Sequence, residues 1–229
     1  MARGIGRAME KALAREEGEA PPEARESLLM HPQRRELFRL LCQRPCSTVG
    51  ELSRAAKLSA NAVRWHLERM AQADLVARDP TRTFHPKGFI DPADAAVFRA
   101  LSAPGARDVF RAVLEAPGST QKELCGTLGV SRQSVFKNAV TLVGHKLLTS
   151  IEDGKFRRYY PTGLLFNRRE ENRARARTFA EGLVKRLQAG GLTPHVLRHT
   201  ENQLLVRIAR GKSAEVLDLP LDPFTTVIQ

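Results

Sequence analysis

Shifting the chain by 72 residues lays Phe38 to Val76 onto Phe110 to Leu148 without a gap. Phe38, Arg39, Pro45, Ser47, Thr48, Glu51, Leu52, Ser59, Val63 and Leu75 recur as Phe110, Arg111, Pro117, Ser119, Thr120, Glu123, Leu124, Ser131, Val135 and Leu147. The shared positions are turn, cap and core types, while the residues between them differ freely. A repeated supersecondary unit constrains architecture more than composition does, and here it describes one scaffold carrying two surfaces. Two copies make a tandem, not a solenoid.

Each copy reads as a helix-turn-helix. His31-Pro32 opens a helix with Leu37, Phe38, Leu40 and Leu41 on its apolar side, since proline suits a first helical turn, and Pro45 lies beyond its end. Ser47 or Thr48 then stands in capping position before Glu51, and Leu52 with Ala55 and Ala56 supplies a buried face. After a turn at Lys57-Leu58, Ser59 caps a helix whose Val63, Leu67 and Met70 point inward at helical spacing, so that Asn61, Arg64, Trp65 and Glu68 point elsewhere. The second copy repeats this with Ser119, Thr120 and Glu123, a turn at Gly129-Val130, the cap Ser131, and inward Val135, Ala139 and Leu142. Behind each helix pair the pattern becomes strand-like. Lys146 to Ile151 and Phe156 to Tyr160 flank Asp153-Gly154, a strong hairpin signal; Leu75 to Arg78 and Thr83 to His85 flank a weaker one.

The run from Ser59 to Met70, followed by Ala73-Asp74-Leu75-Val76, resembles the recognition helix and the start of the wing in ArsR-like and MarR-like winged-helix transcription regulators, with the typical His66-Leu67 pair. The second copy keeps the plan from Ser131 to Leu148 but holds Asn138-Ala139 in place of that pair. The resemblance covers roughly residues 31 to 162. It implies two tandem winged helix-turn-helix domains that bind double-stranded DNA sequence-specifically, with recognition helices near 59–71 and 131–143 in the major groove.

Side-chain chemistry nominates the contacts. Asn61 suits adenine and Arg64 guanine, with the cap Ser59 beside them; in the second copy Arg132, Gln133 and Lys137 are the readers, and Ser131 and Ser134 suit phosphate. The wings add Arg78 and Arg82, then Lys155, Arg157 and Arg158, for phosphate or minor groove. Trp65 reads better as a core or interface aromatic. Phe136 replaces Arg64, so either the copies read different sequences or Phe136 serves packing. The more basic second hairpin makes the second unit the expected dominant DNA binder.

From Gly163 to Gly190 the chain reads as a helix with Ala176, Phe179, Ala180, Leu183 and Leu187 on one stripe, followed by three strands at Pro194 to His199, Gln203 to Arg210 and Ala214 to Leu219. A helix and three strands make a meagre core alone, so the segment is expected to pack on the winged helices or on a second copy. Homodimerisation is the first expectation for it and sensing of an effector ligand the second. The organisation is thus a charged arm over 1–30, winged helices over 31–91 and 92–162, and an assembly or sensing segment over 163–229. In fold class the chain is expected to be mainly α with small β wings and a C-terminal α+β domain.

The formal net charge is +12, and each of the segments 1–91, 92–162 and 163–229 carries +4, which spreads the basic character over the whole surface and favours a polyanionic partner. Three cysteines, no signal peptide and no apolar run long enough for a bilayer point to the cytoplasm without membrane attachment. Gly211-Lys212-Ser213 lacks the leading glycine of a phosphate-binding loop and reads as a turn. Cys42 and Cys46, with His66, fit buried structural thiols better than a metal or redox site. No catalytic motif occurs, so the chain is expected to be neither an enzyme nor a cofactor carrier. The competing readings are a tandem winged-helix scaffold for protein partners, as in chromosome segregation, and an architectural or replication-related DNA-binding protein.

Overall fold

Cap chemistry and apolar spacing set the helices where the repeat places them. The computed structural model describes residues 28–229. In the first unit α1 (Pro32–Gln43), α2 (Val49–Ala56) and α3 (Ala60–Gln72) are followed by a hairpin of β1 (Val76–Arg78) and β2 (Phe84–Pro86). A short turn and α4 (Ala95–Ser102), which no sequence signal had identified, lead to α5 (Pro104–Glu115), a short strand β3 (Ser119–Thr120), α6 (Gln121–Leu128), α7 (Arg132–Gly144), and a longer hairpin of β4 (Leu148–Asp153) and β5 (Phe156–Pro161). All three helices of the first unit recur at the 72-residue offset with the same ends.

The local causes recur too. Thr48 and Thr120, not the serines before them, close full capping boxes with Glu51 and Glu123. Those serines bridge back instead, Ser47 Oγ donating to the Arg44 carbonyl and Ser119 Oγ to that of Ala116, each at 2.6 Å. Val63, Leu67 and Met70 are fully buried, as are Val135, Ala139 and Leu142. Left-handed backbone falls at matched sites: Cys46 and Gly118, Lys57 and Gly129, Asp74 and Lys146, Arg82 and Gly154. The second unit places glycine at three of these four turns, whereas the first holds side chains there at roughly 1 kcal/mol each.

The remaining elements are α8 (Leu164–Ala189), an antiparallel meander of β6 (Thr193–His199), β7 (Gln203–Arg210) and β8 (Ser213–Pro220), and the short α9 (Pro223–Thr226). The stripe Ala176, Phe179, Ala180, Leu183 and Leu187 is buried, as are Leu204, Val206, Ile208, Leu217 and Leu219 of the sheet. Their cover comes from the same chain. The Phe179 ring lies 4.8 Å from Phe89 and 6.4 Å from Phe38, Phe224 lies 4.8 Å from Phe98, and β8 runs along α1 with Arg35 and Glu215 paired at 2.7 Å. One continuous apolar cluster therefore links this segment to both units. Three arginines of α8 bind carboxylates of the connecting segments: Arg168 to Asp94 at 3.4 Å, Arg175 to Asp91 at 2.6 Å and Arg169 to Asp222 at 2.6 Å.

Two expectations change. The three-stranded sheet and the longer second hairpin bring the described residues to 54% helix and 22% strand, a mixed helix and sheet fold in place of a mainly α one. The charged arm expected over 1–30 lies outside the described residues except for Leu28 to Met30. These form a single 3-10 turn with Leu28 and Leu29 buried, so they belong to the core.

Candidate nucleic-acid interface

With Val63, Leu67 and Met70 facing the core, the opposite side of α3 is presented outward by helical geometry alone. Asn61 and Arg64 are exposed there and pair with each other, Arg64 Nη1 donating to Asn61 Oδ1 at 3.0 Å, so base recognition by either would have to break or share that bond. The Ser59 hydroxyl accepts from the Ala62 amide at 3.2 Å, which makes it a cap first. On the hairpin, Arg78 is exposed with its guanidinium 5.8 Å from the Phe84 ring, and Arg82 occupies the left-handed turn position, also exposed. Arg64, Arg78 and Arg82 have no carboxylate partner among the described residues.

Trp65 is neither core nor fully exposed. It is half-buried on the outer side of α3, with the guanidiniums of Arg34 and Arg69 at 5.8 and 5.7 Å from its ring and His66 edge-on at 4.8 Å. His66 is buried, its Nε2 2.8 Å from Gln33 Oε1 and its ring 5.0 Å from that of His31. Burial, then His31 and Arg34, push its pKa down to about 4, so the imidazole is neutral at physiological pH. Arg34 and Arg69 were not among the nominated residues. Arg34 sits on α1, outside the helix-turn-helix motif, and only the approach of α1 to α3 brings it near Trp65.

The second unit presents a different surface. Ser131 accepts from the Ser134 amide at 3.2 Å and donates to the Ser134 hydroxyl at 3.1 Å, which commits both serines to the helix end. Arg132, Gln133 and Lys137 are exposed, and Gln121 Nε2 holds the Arg132 carbonyl at 2.7 Å. Between these polar groups stand Phe136, 47% exposed, and Val140, 51% exposed, one turn apart; Val130 and the hairpin residues Ile151 and Phe156 are exposed as well. Packing of Phe136 in the core is therefore excluded.

On the second hairpin the cations are largely balanced. Arg157 pairs with Glu152 at 3.1 Å, and Arg158 pairs with Asp153 at 2.7 Å while donating to the Gly118 carbonyl at 3.1 Å. Lys155 stands 5.4 Å from the Phe156 ring. Arg158 thus ties the hairpin to the turn before α6, a structural task that a reading of its charge alone overlooked. Ion pairs at exposed sites are weak and exchangeable, so Arg157 remains open to a phosphate, Arg158 less so.

The thiols of Cys42 and Cys46 are quiet. Cys42 is fully buried with its pKa pushed up by desolvation, and that of Cys46 is raised to about 12 by the same cause. Among the described residues no group of three His, Cys, Asp or Glu is placed to hold a metal ion, and no helix is long and apolar enough to cross a membrane.

Residues 29–79 match the family model described as a helix-turn-helix domain. The chain carries a helix-turn-helix domain. The match spans α1, α2, α3 and β1, supports a winged helix there, and points to binding of double-stranded DNA. Among solved structures, the DIP2311 protein from Corynebacterium diphtheriae is similar over 57% of this chain at 20% identity, with a TM-score of 0.25, a likeness too slight to carry an argument. The similar region spans about a quarter (26%) of that protein's length. The comparison with curated proteins returned no match.

Proposed function

We propose that this protein is a sequence-specific double-stranded DNA-binding regulator of transcription, built from two unlike winged helices, in which the first unit reads the DNA. The observation that carries the reading is the outer side of α3 in the matched domain, where Asn61 and Arg64 are exposed opposite a fully buried inner face, and where the hairpin's Arg78 and Arg82 have no carboxylate partner among the described residues. The assignment reverses the expectation that the second, more basic hairpin dominates, because its Arg157 and Arg158 are paired within the hairpin. Binding to random and to selected duplexes at several salt concentrations tests it. A selected duplex should bind at least roughly a hundredfold tighter than random DNA. Equal binding to both would leave an architectural protein and sink the regulator.

A specific observation favours a second role for the second unit. Phe136 and Val140 stand where an α3-like reader would carry polar groups, and an exposed apolar strip rimmed by Arg132 and Lys137 suits a protein partner better than base edges. In this division of labour α3 addresses DNA and α7 another protein. Replacing Phe136 and Val140 together by serine should then leave duplex affinity unchanged; loss of sequence discrimination in that variant would assign α7 to DNA. The expected homodimer would use the C-terminal sheet, where Val216 is exposed on the outer side and Val196 and Leu197 on the edge strand β6. Sedimentation of the intact protein decides it.

A further inference from the structure

We propose that Arg34 of α1 and Arg69 of α3, gathered around Trp65, form a binding site for one phosphodiester of the DNA backbone, flanking the base-reading side of α3. The inference rests on the reading of the first unit as the DNA reader and extends it to a helix outside the helix-turn-helix motif.

Two guanidiniums within 6 Å of one indole ring are an unusual expense for a fold that offers them no acid. Neither forms an ion pair among the described residues; Glu68, adjacent to Arg69 in sequence, pairs with neither, and Glu36 is engaged by Arg39 at 2.7 Å. Arg34 is half-buried, and its Nε is shielded from water without a hydrogen-bond partner. A buried donor left unpaired costs of the order of 1–3 kcal/mol, and like charges brought together add to it. Burial and the nearby Arg69 accordingly hold the Arg34 pKa below its usual value. Burial, Arg34 and Arg35 lower the pKa of His31, and burial, His31 and Arg34 lower that of His66 to about 4. An anion with several acceptor oxygens matches such a pair of guanidiniums, and a phosphate is one.

Position selects the DNA backbone as the source of that phosphate. Trp65 lies opposite Val63, Leu67 and Met70 on α3, on the same outer side as Asn61, so a duplex read by Asn61 and Arg64 brings its backbone past the Trp65 flank. The indole holds both guanidiniums beside its ring, which lowers the ordering cost of the contact. At the 72-residue offset Arg34, Trp65, His66 and Arg69 become Ala106, Lys137, Asn138 and Thr141, so the second unit has no counterpart of the site.

Trp65 is the only tryptophan of the chain, and its emission reports on this site directly. The intact protein is titrated with a selected duplex, with a random duplex and with pyrophosphate, following tryptophan emission and, for the duplexes, anisotropy of a DNA label at several salt concentrations. The expected result is a saturable change in Trp65 emission with both duplexes. Arg34→Gln and Arg69→Gln should each weaken selected and random duplexes alike, by roughly fivefold or more, and each should lower the salt slope by about one unit. Arg34→Lys should keep the slope, which separates loss of charge from loss of fold. Unchanged slopes in both glutamine variants, or duplex binding that leaves Trp65 emission untouched, would overturn the site while leaving DNA binding intact. Saturation by pyrophosphate but not by duplex would assign the cluster to a small phosphorylated ligand and overturn the DNA source. Absence of duplex binding by the wild-type protein at low salt would sink the reading of the first unit itself.

Discussion

Lys57 and Gly129 occupy the same left-handed turn in the two units, and only the glycine does so without steric cost. Lys57→Gly should therefore raise stability by about 0.5–1 kcal/mol, read as an increase in the denaturation midpoint; a decrease would mean that the lysine stem contributes packing the backbone argument omits. His66 offers a second test. Its folded pKa of about 4 lies below the ordinary 6.5, so the unfolded chain binds the extra proton, and stability present above pH 6.5 is lost as pH falls toward 4. His66→Gln should flatten that part of the Tm against pH curve, whereas an unchanged slope would place the acid sensitivity elsewhere. At this scale the sequence was legible where a residue does one job. The caps Ser59 and Ser131, the capping glutamates and the inward Val63 and Val135 follow from type and spacing. Residues with two jobs were not: Arg158 looked like a phosphate ligand and also anchors the hairpin at Gly118, and Cys46, Lys57 and Arg82 hide left-handed turns that composition cannot reveal. The repeat could have exposed those turns, since Gly118, Gly129 and Gly154 mark them in the other copy.

Among the elements, α8 determines how the C-terminal segment is held. Its apolar stripe was readable from spacing, but its partners, Phe38 and Phe89 from the first unit, come from distant parts of the chain that no local pattern connects. Phe179→Ala should cost about 3–5 kcal/mol and loosen the segment from the first unit, detectable as faster amide exchange in β7 and β8. An unchanged exchange pattern would show that the ion pairs of Arg168 and Arg175 suffice. The linker helix α4 is only eight residues long, with Val97, Phe98 and Leu101 buried and no side-chain hydrogen bond from its N-cap Asp94, and it escaped notice. The recognition-type helices α3 and α7 share their ends and their core positions, so the sequence legibly defined their frames. Whether each outer side was free or already engaged depended on contacts from other elements, such as Arg34 reaching Trp65 from α1.

For the whole molecule, net charge alone overstated what is free to meet a polyanion. Arg35, Arg168 and Arg175 tie the C-terminal segment to the two units, Arg169 pairs within it, and Arg157 and Arg158 have carboxylate partners in their own hairpin, whereas Arg64, Arg69, Arg78 and Arg82 of the first unit have no acid among the described residues. The salt dependence of binding should accordingly reflect the first unit. With phosphate contacts from Arg34, Arg69, Arg78 and Arg82, log K should fall with log salt at a slope of about −4, and neutralising Lys155 and Arg157 should change it by less than about one unit. The central claim, that α3 reads the sequence and α7 does not, is tested most directly by comparing Arg64→Ala with Arg132→Ala for binding to the selected and the random duplex by fluorescence anisotropy. The account predicts that Arg64→Ala costs about 1–3 kcal/mol on the selected duplex and little on the random one, while Arg132→Ala leaves their ratio unchanged. Loss of discrimination in Arg132→Ala with discrimination kept in Arg64→Ala would contradict it.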